Sequence, residues 1–343
     1  MPVSLLRSAA LAAVATLAMS TLSGCGGGSS DVAGGTERSG AHITLTLVGY
    51  SAPEPGWSKV IPAFYKTKEG ADVQVVTSYG PSGDQSRGVV SGKPADIVNF
   101  SVAPDITRLV KAGKVSEDWD SGVTKGVAFG SVVTFVVRKG NPKNIHTWDD
   151  LLQPGLEVVS PSPLSSGSAK WNLLAPYAAK SNGGQDPQAG LAFVDELVSK
   201  HFKLRPASGR EASDVFLEGS GDVLLSYENE ALDIERQGKP VEHVIPSETF
   251  KIENPLAVVN SSAHLDTATA FKNYQFTPDA QRLWAKAGFR PTDPAIAEEF
   301  KDSFPVPEHL WTIADLGGWK DIDSTLFDKE NGSITKIYLK ATG

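Results

Sequence analysis

Pro161-Ser-Pro-Leu-Ser-Ser-Gly-Ser-Ala-Lys-Trp-Asn-Leu-Leu-Ala-Pro-Tyr177 is the stretch on which the reading of this chain turns. A short apolar run, Leu156 to Val159, precedes it and reads as a strand. Trp171, Leu174 and Ala178 then recur at helical spacing. Ser165-Ser166-Gly167-Ser168 therefore falls where a helix begins. The first helical turn carries backbone N–H groups without intrahelical partners, and the helix dipole adds partial positive charge there. Gly167 lets backbone approach a ligand, and Ser166 and Ser168 add hydroxyl donors, so the segment can cradle an anion without a cationic side chain. Taken alone, Ser166 reads equally as an ordinary helix cap.

Outward from this stretch, strands and helices alternate. Ile43–Val48, Asp72–Tyr79 and Asp96–Phe100 read as strands; Trp57–Tyr65, Asp84–Val90 and Pro104–Lys111 read as helices. That alternation predicts an α/β fold of mainly parallel sheets flanked by helices, with ligands at the carboxyl ends of strands. Tyr50-Ser51-Ala52-Pro53 and Gly80-Pro81-Ser82-Gly83 occupy such ends. Gly83-Asp-Gln-Ser-Arg-Gly88 has the spacing of a phosphate-binding P-loop, but Val89 stands where lysine is required, and that reading fails. Val132–Val137 and Ser247–Asn254 read as two crossings between lobes. His146–Leu152 reads as a helix with Thr147 as its cap, and Gln188–Val198, Glu211–Leu217, Leu265–Tyr274, Pro278–Lys286, Pro294–Phe300 and Trp319–Phe327 as further helices.

The chain resembles the sulfate-binding proteins of bacterial ABC transporters. In that family a Pro-x-Pro-x-Ser-Ser-Gly-Gly-Ala-x-Trp-Asn run holds the anion. Here Pro161, Pro163, Ser165, Ser166, Gly167, Ala169, Trp171 and Asn172 match, and Ser168 replaces the second glycine. Ser82, Gly83 and Gln85 match a second family segment, whose serine meets the anion through hydroxyl and amide. Gly221 to Ala231 matches a third, except that Tyr227 replaces the tryptophan whose indole N–H reaches the sulfate. Arg138-Lys-Gly-Asn-Pro142, Arg290-Pro291 and Leu316-Gly-Gly-Trp319 extend the likeness over nearly all of the chain from His42.

The resemblance implies a two-lobed periplasmic-binding-protein fold of type II with the ligand in the interlobe cleft. It places lobe 1 at 42–133 and 254–343 and lobe 2 at 134–253. The implied sulfate-binding residues are Ser51, Ser82, Gly83, Ser166, Gly167, Ser168, Gly209 and Tyr227. Ser51 stands where the family has an aspartate that organises loop amides; serine can do the same, or can touch the ligand itself. Glu228 and Glu230 are unsuited to face a dianion and are expected to serve hydrogen bonds at a helix start and between lobes.

Arg7, the apolar run Ala9–Met19 and Leu22-Ser-Gly-Cys25 form a lipoprotein signal over residues 1–24, with Cys25 as the lipidation site. Its apolar run is too short to span a bilayer. Residues 25–41, rich in glycine and serine, read as a flexible tether. The resulting location is the cell envelope, anchored to the outer face of the cytoplasmic membrane.

Cys25 is the one cysteine in 343 residues, which excludes an internal disulfide and a cysteine-based metal site. A formal net charge of −8 argues against nucleic-acid binding and means that local donors, not the global field, would hold an anion. The six histidines are scattered without metal-ligand spacing, and no Gly-x-Ser-x-Gly elbow occurs. The expectation is a monomeric binding protein, not an enzyme, without metal or cofactor. Its partners are a tetrahedral oxyanion (sulfate, with thiosulfate open), the permease subunits of an importer, and the membrane. A lipid-anchored oxyanion sensor and a molybdate or tungstate binder are the alternatives; a secreted hydrolase lacks the reactive groups.

Overall fold

The computed structural model describes residues 32–34 and 38–343. The signal segment, Cys25 and most of the expected tether lie outside those residues. Within the tether, however, β1 (Val32–Gly34) pairs antiparallel with Thr77–Tyr79 and forms a sheet edge. The tether expectation is corrected there.

The first lobe begins with β2 (Ile43–Tyr50), α1 (Glu54–Phe64), β3 (Val73–Gly80), α2 (Ser82–Val90), β4 (Ile97–Asn99) and α3 (Ala103–Lys111). β2 pairs parallel with both β3 and β4. Along β3, buried and half-buried residues alternate until Tyr79 and Gly80, which are both buried. Alternation marks a sheet with one wetter face. Its loss at the carboxyl end marks where another part of the protein covers the sheet.

The long strand β5 (Val127–Arg138) follows, buried along nearly its whole length. Then come β6 (Val158–Val159), α4 (Gly167–Lys180), α5 (Pro187–Glu196), β7 (Phe202–Leu204), α6 (Gly209–Leu217), β8 (Val223–Tyr227), α7 (Glu228–Arg236), β9 (Val241–Val244) and β10 (Glu248–Val258). The order across the sheet system is β1-β3-β2-β4-β10-β5-β8-β6-β7. β5 and β10 pair antiparallel, with Val132 opposite Lys251 and Gly130 opposite Glu253. The end of β10 joins β4 and the end of β5 joins β8, so these two strands run through both lobes. A Cβ at Gly130 would lie 2.6 Å from the Ile252 carbonyl, which is why a glycine sits in this tight pairing. His146–Leu152 differs from expectation: one 3-10 turn, Asp149–Leu152, forms there. Thr147 does not cap it but donates through Oγ1 to Asp150, whose carboxylate gathers three such bonds and is held below the usual range, burial opposing.

The chain ends with α8 (Leu265–Tyr274), α9 (Pro278–Ala287), β11 (Arg290–Pro291), α10 (Pro294–Glu299), β12 (His309–Trp311), α11 (Trp319–Ile322) and α12 (Ser333–Thr342). α8 and α9 complete the first lobe. Phe129 stacks on Trp284 with ring centroids 3.9 Å apart, and a Cβ at Gly56 would lie 2.2 Å from the Trp284 ring, so α1 packs on this cluster only with glycine there.

From His309 onward the expected lobe assignment is corrected. β12 pairs parallel with the start of β10. Trp311, Ile322, Phe327, Ile334 and Tyr338 are buried in one core with Leu156, Trp171, Val194 and Leu197 of the second lobe. The chain therefore crosses a third time, through Pro305-Val306-Pro307. The apolar residues of α11 and α12 show which face is buried, but nothing in their spacing says against which lobe.

Candidate functional site

Strand ends and helix starts on both sides of the interlobe boundary deliver small polar residues to one pocket. β2 brings Tyr50 and Ser51, β3 brings Gly80, Pro81 and Ser82, and β4 brings Ser101. From the second lobe come Ser166, Gly167 and Ser168 at the start of α4, and Ser208 and Gly209 at the start of α6. Ala52 completes the lining, and none of these residues carries a formal charge.

Side-chain caps are present at some helix starts and absent at others; α3, α7, α8, α11 and α12 lack one as well. α5, α9 and α10 are capped by Asp186, Thr277 and Asp293, whose side chains accept backbone N–H groups. α1, α2 and α4 have no side-chain cap. Ser166 occupies the cap position of α4, yet its Oγ lies 2.7 Å from Ser168 Oγ and caps nothing. The cap reading of Ser166 is thereby set aside: the first-turn amides of α4 stay free to face a ligand. At α6, Ser208 accepts from the Glu211 amide, which leaves the Gly209 backbone at the pocket wall.

The two lobes touch at glycine. A Cβ on Gly167 would lie 2.7 Å from Ser101 Cβ and 2.8 Å from Ser101 Oγ; one on Gly83 would lie 2.8 Å from the Ser165 carbonyl. The Gly83 amide donates to that carbonyl across the cleft at 2.9 Å. Gly83 thus joins the lobes and stands outside the lining. Ser82 lines the pocket, but its hydroxyl donates to Asp105 Oδ2 at 2.6 Å and accepts the Ser101 amide at 3.0 Å. What Ser82 can offer a ligand is its backbone N–H. Tyr227 is fully buried behind the pocket, with its hydroxyl 2.6 Å from Ser101 Oγ. Ser51, Ser82, Ser166, Gly167, Ser168 and Gly209 are therefore brought together in one wall, while Gly83 and Tyr227 sit one contact behind it.

Sequence reading placed Tyr50 in a ligand-facing loop without giving it a role, and assigned none to Ser101 or Ser208. Ser101 lies two residues past the end of β4, and the same rule that drew attention to the ends of β2 and β3 points to it. Tyr50 is 4 % exposed, and among the described residues its hydroxyl finds no hydrogen-bond partner. Burial, reinforced by Tyr227 and Glu230, pushes its pKa well above the ordinary phenol range, so it stays a protonated donor. Leaving a buried hydroxyl unsatisfied costs about 1–3 kcal/mol. Tyr50→Phe is accordingly expected to leave ligand-free thermal stability equal or higher. The same variant should weaken oxyanion binding about 10-fold, as read by calorimetry. Unchanged affinity would show that Tyr50 only packs.

The carboxylates near the pocket are held away from it. Glu228 receives a bidentate pair of bonds from Arg290 of the first lobe, at 2.6 and 2.8 Å, as expected of an interlobe role. Glu230 accepts from Ser226 Oγ at 3.0 Å; burial raises its pKa, against the pull of Arg210 and that hydrogen bond. A larger cavity that shares Ala52 with this pocket is lined by Arg210, Asp214, Glu230 and Asp233 among others, and is charged and acidic in balance, unlike the neutral pocket. Among the described residues no cluster of His, Cys, Asp and Glu could hold a metal ion, and no helix is long and apolar enough to cross a membrane.

The family model of the bacterial extracellular solute-binding proteins matches residues 45–290. A sulfate-binding protein of Synechococcus elongatus is 35 % identical, covering 99 % of this chain and 97 % of its own length. A thiosulfate-binding protein of Pseudomonas aeruginosa is 33 % identical, covering 87 % and 93 %. Among solved structures, the sulfate-binding protein SubI of Mycobacterium tuberculosis superposes with a TM-score of 0.83 at 70 % identity, covering 84 % of this chain and all of that one.

Proposed function

Because this chain belongs to the bacterial extracellular solute-binding proteins, we propose that its interlobe pocket captures sulfate and presents it to the permease of an ABC importer. The observation that carries this reading is a pocket walled by serine hydroxyls, free helix-start amides and glycine backbone, with no charged side chain in its lining. Sulfate near neutral pH has no proton to donate, so it needs donors alone. A protonated phosphate would need an acceptor as well. Hydrogen bonds to a charged group are worth about 1.5–3 kcal/mol each, so several neutral donors suffice without a counter-ion.

The reading includes a monomer anchored by lipid on Cys25, supported by the Leu22-Ser-Gly-Cys25 run. Ser51 lines the pocket with the other serines, which favours near contact with the ligand over loop support alone.

Calorimetry with sulfate, thiosulfate, molybdate and phosphate, in the presence of a chelator, tests the reading. Sulfate is expected to bind tightly and phosphate weakly, unaffected by the chelator. Ser51→Asp should weaken sulfate at least about 10-fold by setting a carboxylate beside a dianion. Binding of phosphate or molybdate in preference to sulfate would overturn the assignment, and Ser51→Asp binding as well as the wild type would make Ser51 a loop residue. Thiosulfate belongs in the panel because it is also a donor-seeking dianion and because one relative is a thiosulfate-binding protein.

A further inference from the structure

We propose that Ser101 is a direct hydrogen-bond donor to the bound oxyanion, and that Tyr227, behind it, fixes the direction of that donation and so disfavours protonated anions. This rests on the sulfate reading of the pocket and deepens it.

Ser101 lines the pocket and Tyr227 does not; both are fully buried, with their hydroxyl oxygens 2.6 Å apart. A hydroxyl has one hydrogen to give and two lone pairs to accept with. Among the described residues, Ser101 Oγ is the hydrogen-bond partner of Tyr227 Oη, and no second acceptor is in reach of the phenol. If Ser101 donated to Tyr227, the phenolic hydrogen would be buried without an acceptor, which is costly. The satisfied arrangement has Tyr227 donating to Ser101 Oγ and the Ser101 hydrogen turned to the pocket. Burial keeps the phenol protonated, its pKa lying well above the ordinary range even with the Ser101 contact opposing.

Ser101 itself is fixed in place. Its amide donates to Ser82 Oγ at 3.0 Å, and its carbonyl accepts from Trp171 Nε1 at 2.9 Å and Asn254 Nδ2 at 3.2 Å. Gly167 packs close to its side chain: a Cβ there would lie 2.7 Å from Ser101 Cβ and 2.8 Å from its Oγ. Tyr227 is thus a positioning residue. By donating to Ser101 Oγ it turns the Ser101 hydrogen to the pocket and fills one of the two lone pairs, so a hydrogenphosphate finds less acceptor capacity there, while the outward donor is strengthened.

The test is calorimetric titration of the purified chain and three variants with sulfate and with inorganic phosphate. Ser101→Ala is expected to weaken sulfate about 10- to 100-fold. Tyr227→Phe is expected to cost sulfate less than about 3-fold but to narrow the preference for sulfate over phosphate about 10-fold, because a lone pair of Ser101 is freed. The double variant should bind sulfate no more weakly than Ser101→Ala, since it also removes the phenol that the single change orphans. A direct Tyr227 contact instead gives Tyr227→Phe a loss as large as that of Ser101→Ala, with the two losses multiplying; that result overturns the proposal. An unchanged sulfate-to-phosphate ratio in Tyr227→Phe overturns it too, and does so even if Ser101→Ala fails to fold. A wild-type chain that ignores sulfate sinks the sulfate reading itself, whereas wild-type binding with an indifferent Ser101→Ala sinks only the donor assignment.

Discussion

Gly167→Ala is expected to weaken sulfate binding by at least about 100-fold, with little change in ligand-free stability. Gly167 is the first residue of α4, and alanine there is no poorer a helix former than glycine. Across the cleft, however, the added methyl would stand 2.7 Å from Ser101 Cβ, 2.8 Å from Ser101 Oγ and 3.3 Å from Ser82 Cβ. Ser101 is held at its amide and carbonyl and cannot retreat. The methyl therefore separates the lobes, and donors split between them no longer converge; losing two charge-assisted bonds alone corresponds to about 3–6 kcal/mol. Titration calorimetry reads the affinity, and small-angle scattering should show a variant whose radius does not shrink at saturating sulfate. Binding as tight as wild type would mean that the lobes never approach this closely around the ligand.

The second large effect is on stability. Arg290→Met is expected to cost about 3–5 kcal/mol, seen as a marked fall in the midpoint of urea unfolding at neutral pH. The Glu228 side chain is 1 % exposed and that of Arg290 16 %, and the guanidinium meets both carboxylate oxygens. Removing the cation leaves a buried carboxylate without its partner, which is far more costly than losing the pair as a whole. Glu228→Gln in the same chain should recover part of the loss. An unfolding midpoint equal to wild type would show that the carboxylate finds other partners or water.

The α/β alternation was legible because each strand and helix carries its own period, and most element boundaries fall within a few residues of expectation. The pocket wall was legible where a segment is distinctive by itself, as at Ser165-Ser166-Gly167-Ser168. What could not be read was contact between segments remote in sequence. Ser101 looks like any serine after a strand until Tyr227, 126 positions away, is found against it. The Ser82 hydroxyl looked free until Asp105 was found to engage it. The docking of Trp311 and Tyr338 on the second lobe depends likewise on a partner surface that local periodicity does not specify.

The antiparallel pairing of β5 with β10 fixes what kind of movement the cleft can make. A narrow antiparallel ribbon, here with β11 also paired to β5 at Gly130 and Phe129, bends more readily about an axis lying across it than it slides, since bending changes each dihedral slightly and breaks no ladder bond. Sliding one strand along the other is different: a slip of one residue exchanges the ladder partners and turns every side chain to the opposite face. Val132 opposite Lys251 and Gly130 opposite Glu253 are therefore index marks. The ribbon acts as a flexure, compliant in one direction and stiff in shear. A cleft that opened and shut on such a flexure would return Gly167 to the same spot on Ser101, and amides from the two lobes would meet without being realigned.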